Sequence, residues 1–238
     1  METTDKVYLY GASGHAKVVM DIVRKAYYDV PCLIDDNPDE NELAGVPVVH
    51  SAEGLSPIIV TIGDCQIRRK IVEKLGEREY LTVIHPSAVK ADSVKLGYGT
   101  VVMAGAILNP YAEIGNHCIV NTGAVVEHDC KIGDFVHIAP HSTICGATEV
   151  GEGTWIGAGT TVIQCVKIGK NCFIGAGSVV VKDIPDGCLC YGNPARIVRG
   201  GVKSSVKFIV YSLKDVESYE CCHESLRFRW CGERRAVA

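Results

Sequence analysis

No stretch of this 238-residue chain approaches the roughly 18 consecutive apolar residues of a membrane-spanning helix. The charged start "METTDK" lacks the form of a secretory signal, so a cytoplasmic protein without membrane insertion is expected. No basic block occurs, and a formal net charge of −4 gives no sign of a nucleic-acid partner. None of the 12 cysteines forms a CxxC pair of zinc-ribbon type. In a reducing compartment they stay free, and small inward slots account for Cys118, Cys130 and Cys172. Through the middle of the chain the apolar positions follow neither the helical period of 3.6 nor the strand period of 2.

What is there instead is a period of six. From Leu96 to Val180, fifteen consecutive positions six apart are Leu, Ile or Val. Four residues after each, the chain is mostly small or slender, as at Thr100, Ala106, Ala112, Cys118, Ser142 and Thr154. Gly97, Gly115, Gly133, Gly151 and Gly169 add a second period of eighteen. Hexapeptide repeats of this kind mark a parallel β-helix. Each coil takes eighteen residues in three short strands, about five coils in all, with the aliphatic residues inside. Coils stack at ~4.8 Å, and glycines are expected to free the backbone at the corners. Residues eighteen apart become neighbours, which puts His128 beside Gly146 and Pro110.

Residues 1–85 follow a different grammar. "KVYLYGA", "CLIDDN" and "PIIVTIGD" read as strands, and the first and last of them lead into helices. The first helix, in "GASGHAKVVMDIVRKA", places Val18, Val19, Ile22 and Val23 on one side; the second, "DCQIRRKIVEKL", has Asp64 as its N-cap. Strands alternating with helices mean an α/β domain with a small parallel sheet, too short for a full dinucleotide fold and so half-Rossmann-like. Its glycine-rich loop suits a diphosphate, held by backbone N–H groups at a helix N-terminus. Ser13, Gly14 and His15 lie on that loop, Asp35 and Asp36 end the next strand where acids reach ribose or base, and Gly63 offers close backbone contact. A single half-site favours a UDP-sugar over NAD. Residues 86–200 form the β-helix, with "DIPDGCLCYGNPARIVR" as an irregular exit, and 201–238 form a tail without hexads or an assigned role.

The first strand with "YGASGHAKVV", the hexads, "EHDC" and the closing "GNPAR" occur in that order. Together they resemble the bacterial acyltransferases that join an N-terminal nucleotide-sugar domain to a left-handed β-helix, over roughly residues 5–200. Among them the chain resembles the UDP-4-amino-4,6-dideoxy-sugar N-acetyltransferases of bacillosamine-type pathways; sialic-acid O-acetyltransferases share the plan. The resemblance implies acetyl-CoA as co-substrate, a UDP-amino sugar as acceptor, no metal and a homotrimer. It makes His128 the general base, oriented by Asp129 with Glu127 as the alternative, and places His137 near the thioester. Gly146, one coil on, would donate its N–H to the tetrahedral oxygen. Gly157, Ala158 and Gly159, with Gly175, Ala176 and Gly177, would line a cofactor slot between subunits, and Arg196 would meet a CoA phosphate. Two rival readings remain open. One is an interfacial-zinc β-helix of gamma-carbonic-anhydrase type, using His117, His137 and His141; the other is a non-catalytic scaffold.

Overall fold

The computed structural model describes residues 5–199, so the expectation for 201–238 lies outside the described residues. Among the described residues no helix is long and apolar enough to cross a membrane. The N-terminal sheet has five strands in the order β3-β4-β2-β1-β5. Strands β1 (Tyr8–Tyr10), β2 (Leu33–Ile34), β4 (Val46–Val49) and β5 (Ile58–Val60) run parallel, while β3 (Glu42–Leu43) is antiparallel to β4. The β3–β4 hairpin is not among the elements expected from the sequence. Its signal is Ala44-Gly45, a two-residue turn with both φ positive (52° and 79°) just ahead of the apolar run Val46–Val49.

Helices α1 (Gly14–Lys25) and α2 (Cys65–Leu75) follow β1 and β5. Asp64 caps α2 as expected, its Oδ1 accepting from the N–H groups of Gln66 and Ile67 at 2.8 Å. Helix α1 buries Ala16, Val19, Met20, Ile22 and Val23. Val18 is 44% exposed, against expectation, because it sits about 100° around the helix from Val19. The buried stripe packs in one cluster with Leu9 and Leu33 of the sheet and with Val83, Val101 and Ile119 of the following region.

That region is a parallel β-helix with three faces, and its coils pair at a register of eighteen, as in Ile114↔Ile132 and Val120↔Ile138, until the exit, where Phe173↔Leu189 and Ile168↔Ile184 are sixteen apart. One face, against which the N-terminal domain packs, carries eight strands beginning at Val83–Ile84. A second has six strands, Val89–Lys90 to Val179–Val180; a third has five, Lys95–Leu96 to Lys167–Ile168. The first strand precedes Pro86, where the sequence places the start of the β-helix; Lys90 interrupts the aliphatic series and hides the first coil. The exit is also more regular than expected. Leu189–Tyr191 continues the eight-stranded face, and Arg196–Arg199 pairs back on it antiparallel.

The aliphatic ladder is buried from Val102 to Val180. The small positions are buried too, and their polarity has a purpose. Thr100, Ser142, Thr148, Thr154 and Thr160 each donate a hydroxyl hydrogen to the carbonyl fifteen residues on, at 2.7–3.1 Å. Each such bond satisfies a carbonyl at the bend of the next coil.

The role expected of the glycines eighteen apart needs correction. Gly115 has no positive φ; a Cβ there would clash with Asp134 Oδ1 and stand 2.7 Å from the Asp134 nitrogen. These glycines therefore permit close stacking of coils. The left-handed corner residues lie two positions later, every six residues from Gly99 to Gly177, and include His117, Asp129 and His141.

Candidate active site

The strand Val125–Val126 leads into Glu127 and His128, and Asp129 turns the corner at φ 60°. The coil below holds this corner through Asp129 N–H to the Pro110 carbonyl (3.2 Å), and the coil above through Ala147 N–H to the His128 carbonyl (2.9 Å). His128 Nδ1 lies 2.7 Å from Asp129 Oδ2, with both side chains more than half exposed. A carboxylate oxygen accepts, so Nδ1 is the donor of this bond, and Nε2 makes no hydrogen bond among the described residues. Asp129, not Glu127, makes this bond. The ring lies directly over Gly146, where a Cβ would come within 2.7 Å of Cε1 and Nε2. Among the described residues no hydrogen bond uses the Gly146 N–H.

The second cluster is closed. Arg68, in the first turns of α2, is 1% exposed. Its Nε donates to the His117 carbonyl (2.8 Å), Nη1 to Ile62 and Gly63 (2.7 and 2.9 Å), and Nη2 to Phe135 (2.7 Å). His137 is 4% exposed, its ring 4.0 Å from that of Trp155. Its Nδ1 reaches the Gly63 carbonyl and its Nε2 the Asn121 amide nitrogen, both at 3.0 Å. Burial, then the Arg68 charge, push His137 down to about 3 and His15 down to about 4. His117 is pushed to about 4 by the same causes, and its ring stacks on Phe135 at 5.1 Å. These histidines are neutral.

Sequence reasoning missed Arg68. The available signal was a basic pair, Arg68-Arg69, at the start of a helix, where the macrodipole disfavours cations. Arg69 also reaches the β-helix, lying over the Phe135 ring and near Glu152.

The residues of the glycine-rich loop are together. Ser13 precedes α1 without capping it through its side chain, Gly14 opens the helix into free space, and His15 lies 6.3 Å from His137, ring to ring. The acids expected at ribose or base already have protein partners. Asp35 accepts from the N–H groups of Ala12 (2.7 Å) and Asn37 (2.9 Å), bracing the loop. Asp36 pairs with Lys74 and Tyr10, which hold its carboxyl below the usual range. The Gly63 carbonyl is also occupied.

Ala158, Gly159, Ala176 and Gly177 form an exposed ledge with Gly157 and Gly175 behind them. Nothing lies within 4 Å of a Cβ on Gly159 or Gly177. Arg196 is exposed on the exit hairpin. This ledge and His128 occupy different corners, separated by the six-stranded face, so one chain does not bring them together. His141 is exposed on the ledge corner, whereas His117 and His137 are buried.

The family model for the PglD N-terminal domain matches residues 6–75, and that for bacterial transferase hexapeptide repeats matches 111–146 and 147–182. A mutant of GDP-perosamine N-acetyltransferase from Caulobacter crescentus, solved with CoA and GDP-perosamine, superposes with a TM-score of 0.77 at 40% identity, covering 82% of this chain and 97% of that one. The chain belongs to the hexapeptide-repeat sugar N-acetyltransferase family, and its β-helix is of the left-handed kind. The acetyltransferase domain of PglB from Neisseria gonorrhoeae FA1090, solved with acetyl coenzyme A, gives a TM-score of 0.76 at 37% identity over 82% of this chain and all of that one. UDP-N-acetylbacillosamine N-acetyltransferase of Bacillus subtilis (strain 168) is 39% identical over 107 residues, or 40% of this chain. The chain spans half or less of the length of the curated relatives it matches.

Proposed function

We propose that the protein transfers the acetyl group of acetyl-CoA to the amine of a UDP-linked 4-amino-4,6-dideoxy sugar for bacterial glycan synthesis in the cytoplasm. The observation that carries this reading is the exposed His128–Asp129 pair, 2.7 Å apart, set against Gly146 on a rigid corner. A sugar amine attacks the thioester carbonyl and builds a tetrahedral species, positive at nitrogen and negative at oxygen. His128 Nε2 takes the amine proton, and the Asp129 carboxylate stabilises the imidazolium that forms. The Gly146 N–H donates to the oxygen; the intermediate then collapses, expelling the CoA thiolate. No covalent acetyl-enzyme is needed. His137 has both nitrogens committed and no free lone pair, which favours His128 as base.

The separation of the ledge from His128 favours a homotrimer, in which the ledge of one subunit faces the His128 corner of the next and acetyl-CoA lies between them. The six-stranded face suits the threefold axis. Its outward positions are Val89, Ile107, Val125, Thr143, Thr161 and Val179, while the five-stranded face presents Lys95, Glu113, Lys131, Glu149 and Lys167. Ser13, Gly14 and His15 would hold the nucleotide diphosphate, and Arg196 a CoA phosphate.

Thiol release from acetyl-CoA across UDP- and GDP-linked amino sugars and CMP-sialic acid tests the activity. Replacing His128 by Ala is expected to lower kcat at least about a hundredfold with acetyl-CoA binding retained. Near-wild-type turnover by that variant would place the chemistry elsewhere, and a fully active monomer in light scattering would remove the intersubunit site.

A further inference from the structure

We propose that Arg68 is a positioning residue for the transfer, acting through the Gly63 carbonyl to keep the His137 proton on Nδ1. The inference rests on the acetyltransferase reading above. A buried guanidinium ordinarily meets a carboxylate, yet among the described residues Arg68 meets none. Its oxygen partners at 2.7–2.9 Å are backbone carbonyls from the 62–63 loop and from the corners at His117 and Phe135. Those corners stand eighteen residues apart on successive coils. One planar fork therefore gauges the nucleotide-domain loop against two rungs of the β-helix.

The consequence for His137 follows from donor and acceptor rules. The Gly63 carbonyl takes one hydrogen bond from Arg68 Nη1 and a second from His137 Nδ1, so Nδ1 carries the proton. On the other side, Asn121 Oδ1 accepts from the Thr122 N–H at 2.8 Å, which turns the amide NH₂ toward His137 Nε2 at 3.0 Å. Nε2 is therefore the acceptor and the ring is neutral. Arg68 supports this state by fixing the carbonyl that defines the tautomer and by opposing a second positive charge on the ring. The same carbonyl lies just ahead of the α2 N-cap, and the His15 ring lies 6.3 Å from that of His137, tilted by 45°. Arg68 thereby sets where the 62–63 loop stands relative to the β-helix.

The test uses the full chain labelled with ¹⁵N-histidine, as wild type, Arg68→Lys and Arg68→Gln, with imidazole nitrogen shifts read beside steady-state kinetics. At pH 7 the wild-type His137 should show a protonated Nδ1. Both variants should give a mixed or protonated ring and a kcat lower by about tenfold, with KM for acetyl-CoA within about twofold. Lys keeps the charge but not the fork, so its failure to rescue separates geometry from charge. An Nε2–H ring in the wild type overturns the proposal, as does an unchanged His137 spectrum or an unchanged kcat in a folded variant. If Arg68→Gln does not fold, the wild-type spectrum and Arg68→Lys still decide. Absence of wild-type turnover on every amino sugar sinks the functional reading instead, and the nitrogen shifts then decide the Arg68–His137 linkage on their own.

Discussion

The corner at His128 and the seam at His137 lie nine residues apart in the chain and use histidine in opposite ways. At the corner the ring is exposed, bound to a carboxylate and left with an open Nε2. In the seam the rings of His15, His117 and His137 are shielded, lie near a guanidinium and are held neutral. The difference is one of cover. The corner projects where only another molecule can reach it, while the N-terminal domain covers the seam and removes the water that would solvate a charge. Residue type alone does not assign a histidine to chemistry; its partner and its access do.

The largest expected effect that would break this contrast is on stability against pH. The seam histidines have folded values near 4, 4 and 3, below the ordinary 6.5, so the unfolded chain takes up their protons first as pH falls. Their contribution is present above about pH 6.5 and is lost progressively toward pH 4, at roughly 1 kcal/mol per pH unit for each ring. Denaturant titrations from pH 7 to 4.5 should show this fall, and His117→Phe should remove about one third of the slope. A flat profile would mean that the seam admits water.

The next effect concerns the corner. Gly146→Ala places a methyl within 2.7 Å of the His128 ring, which must swing away while the coils stay stacked. Turnover should fall by about ten- to a hundredfold with the melting temperature little changed. Unaltered turnover would show that the ring does not act from this position.

Two smaller effects sharpen the comparison. Thr154→Val leaves the Gly169 carbonyl without its 2.7 Å donor and should cost about 1–3 kcal/mol by urea titration, with catalytic constants unchanged. Asp36→Asn weakens an exposed pair with Lys74, so stability should change by less than about 1 kcal/mol. A raised KM for the nucleotide sugar in that variant would restore Asp36 to the binding site; an unchanged KM would leave it a surface brace.

Much of this molecule is legible in the unfolded chain. Fifteen aliphatic positions six apart and glycines eighteen apart require a coil of eighteen, and that arithmetic alone sets His128 beside Gly146, because the ladder register is the repeat length. The Asp64 cap follows from its side-chain chemistry at a helix start. The glycine columns are visible, but their reason is not: a repeat locates a glycine without telling whether φ or a neighbouring coil demands it. Tertiary structure alone decided the rest. Arg68 became the fastening of two regions, His137 a buried neutral ring and Asp35 a brace, because each depends on atoms from segments tens of residues away. Periodicity is a local property and the sequence carries it openly; burial and hydrogen-bond partnership belong to the packed chain.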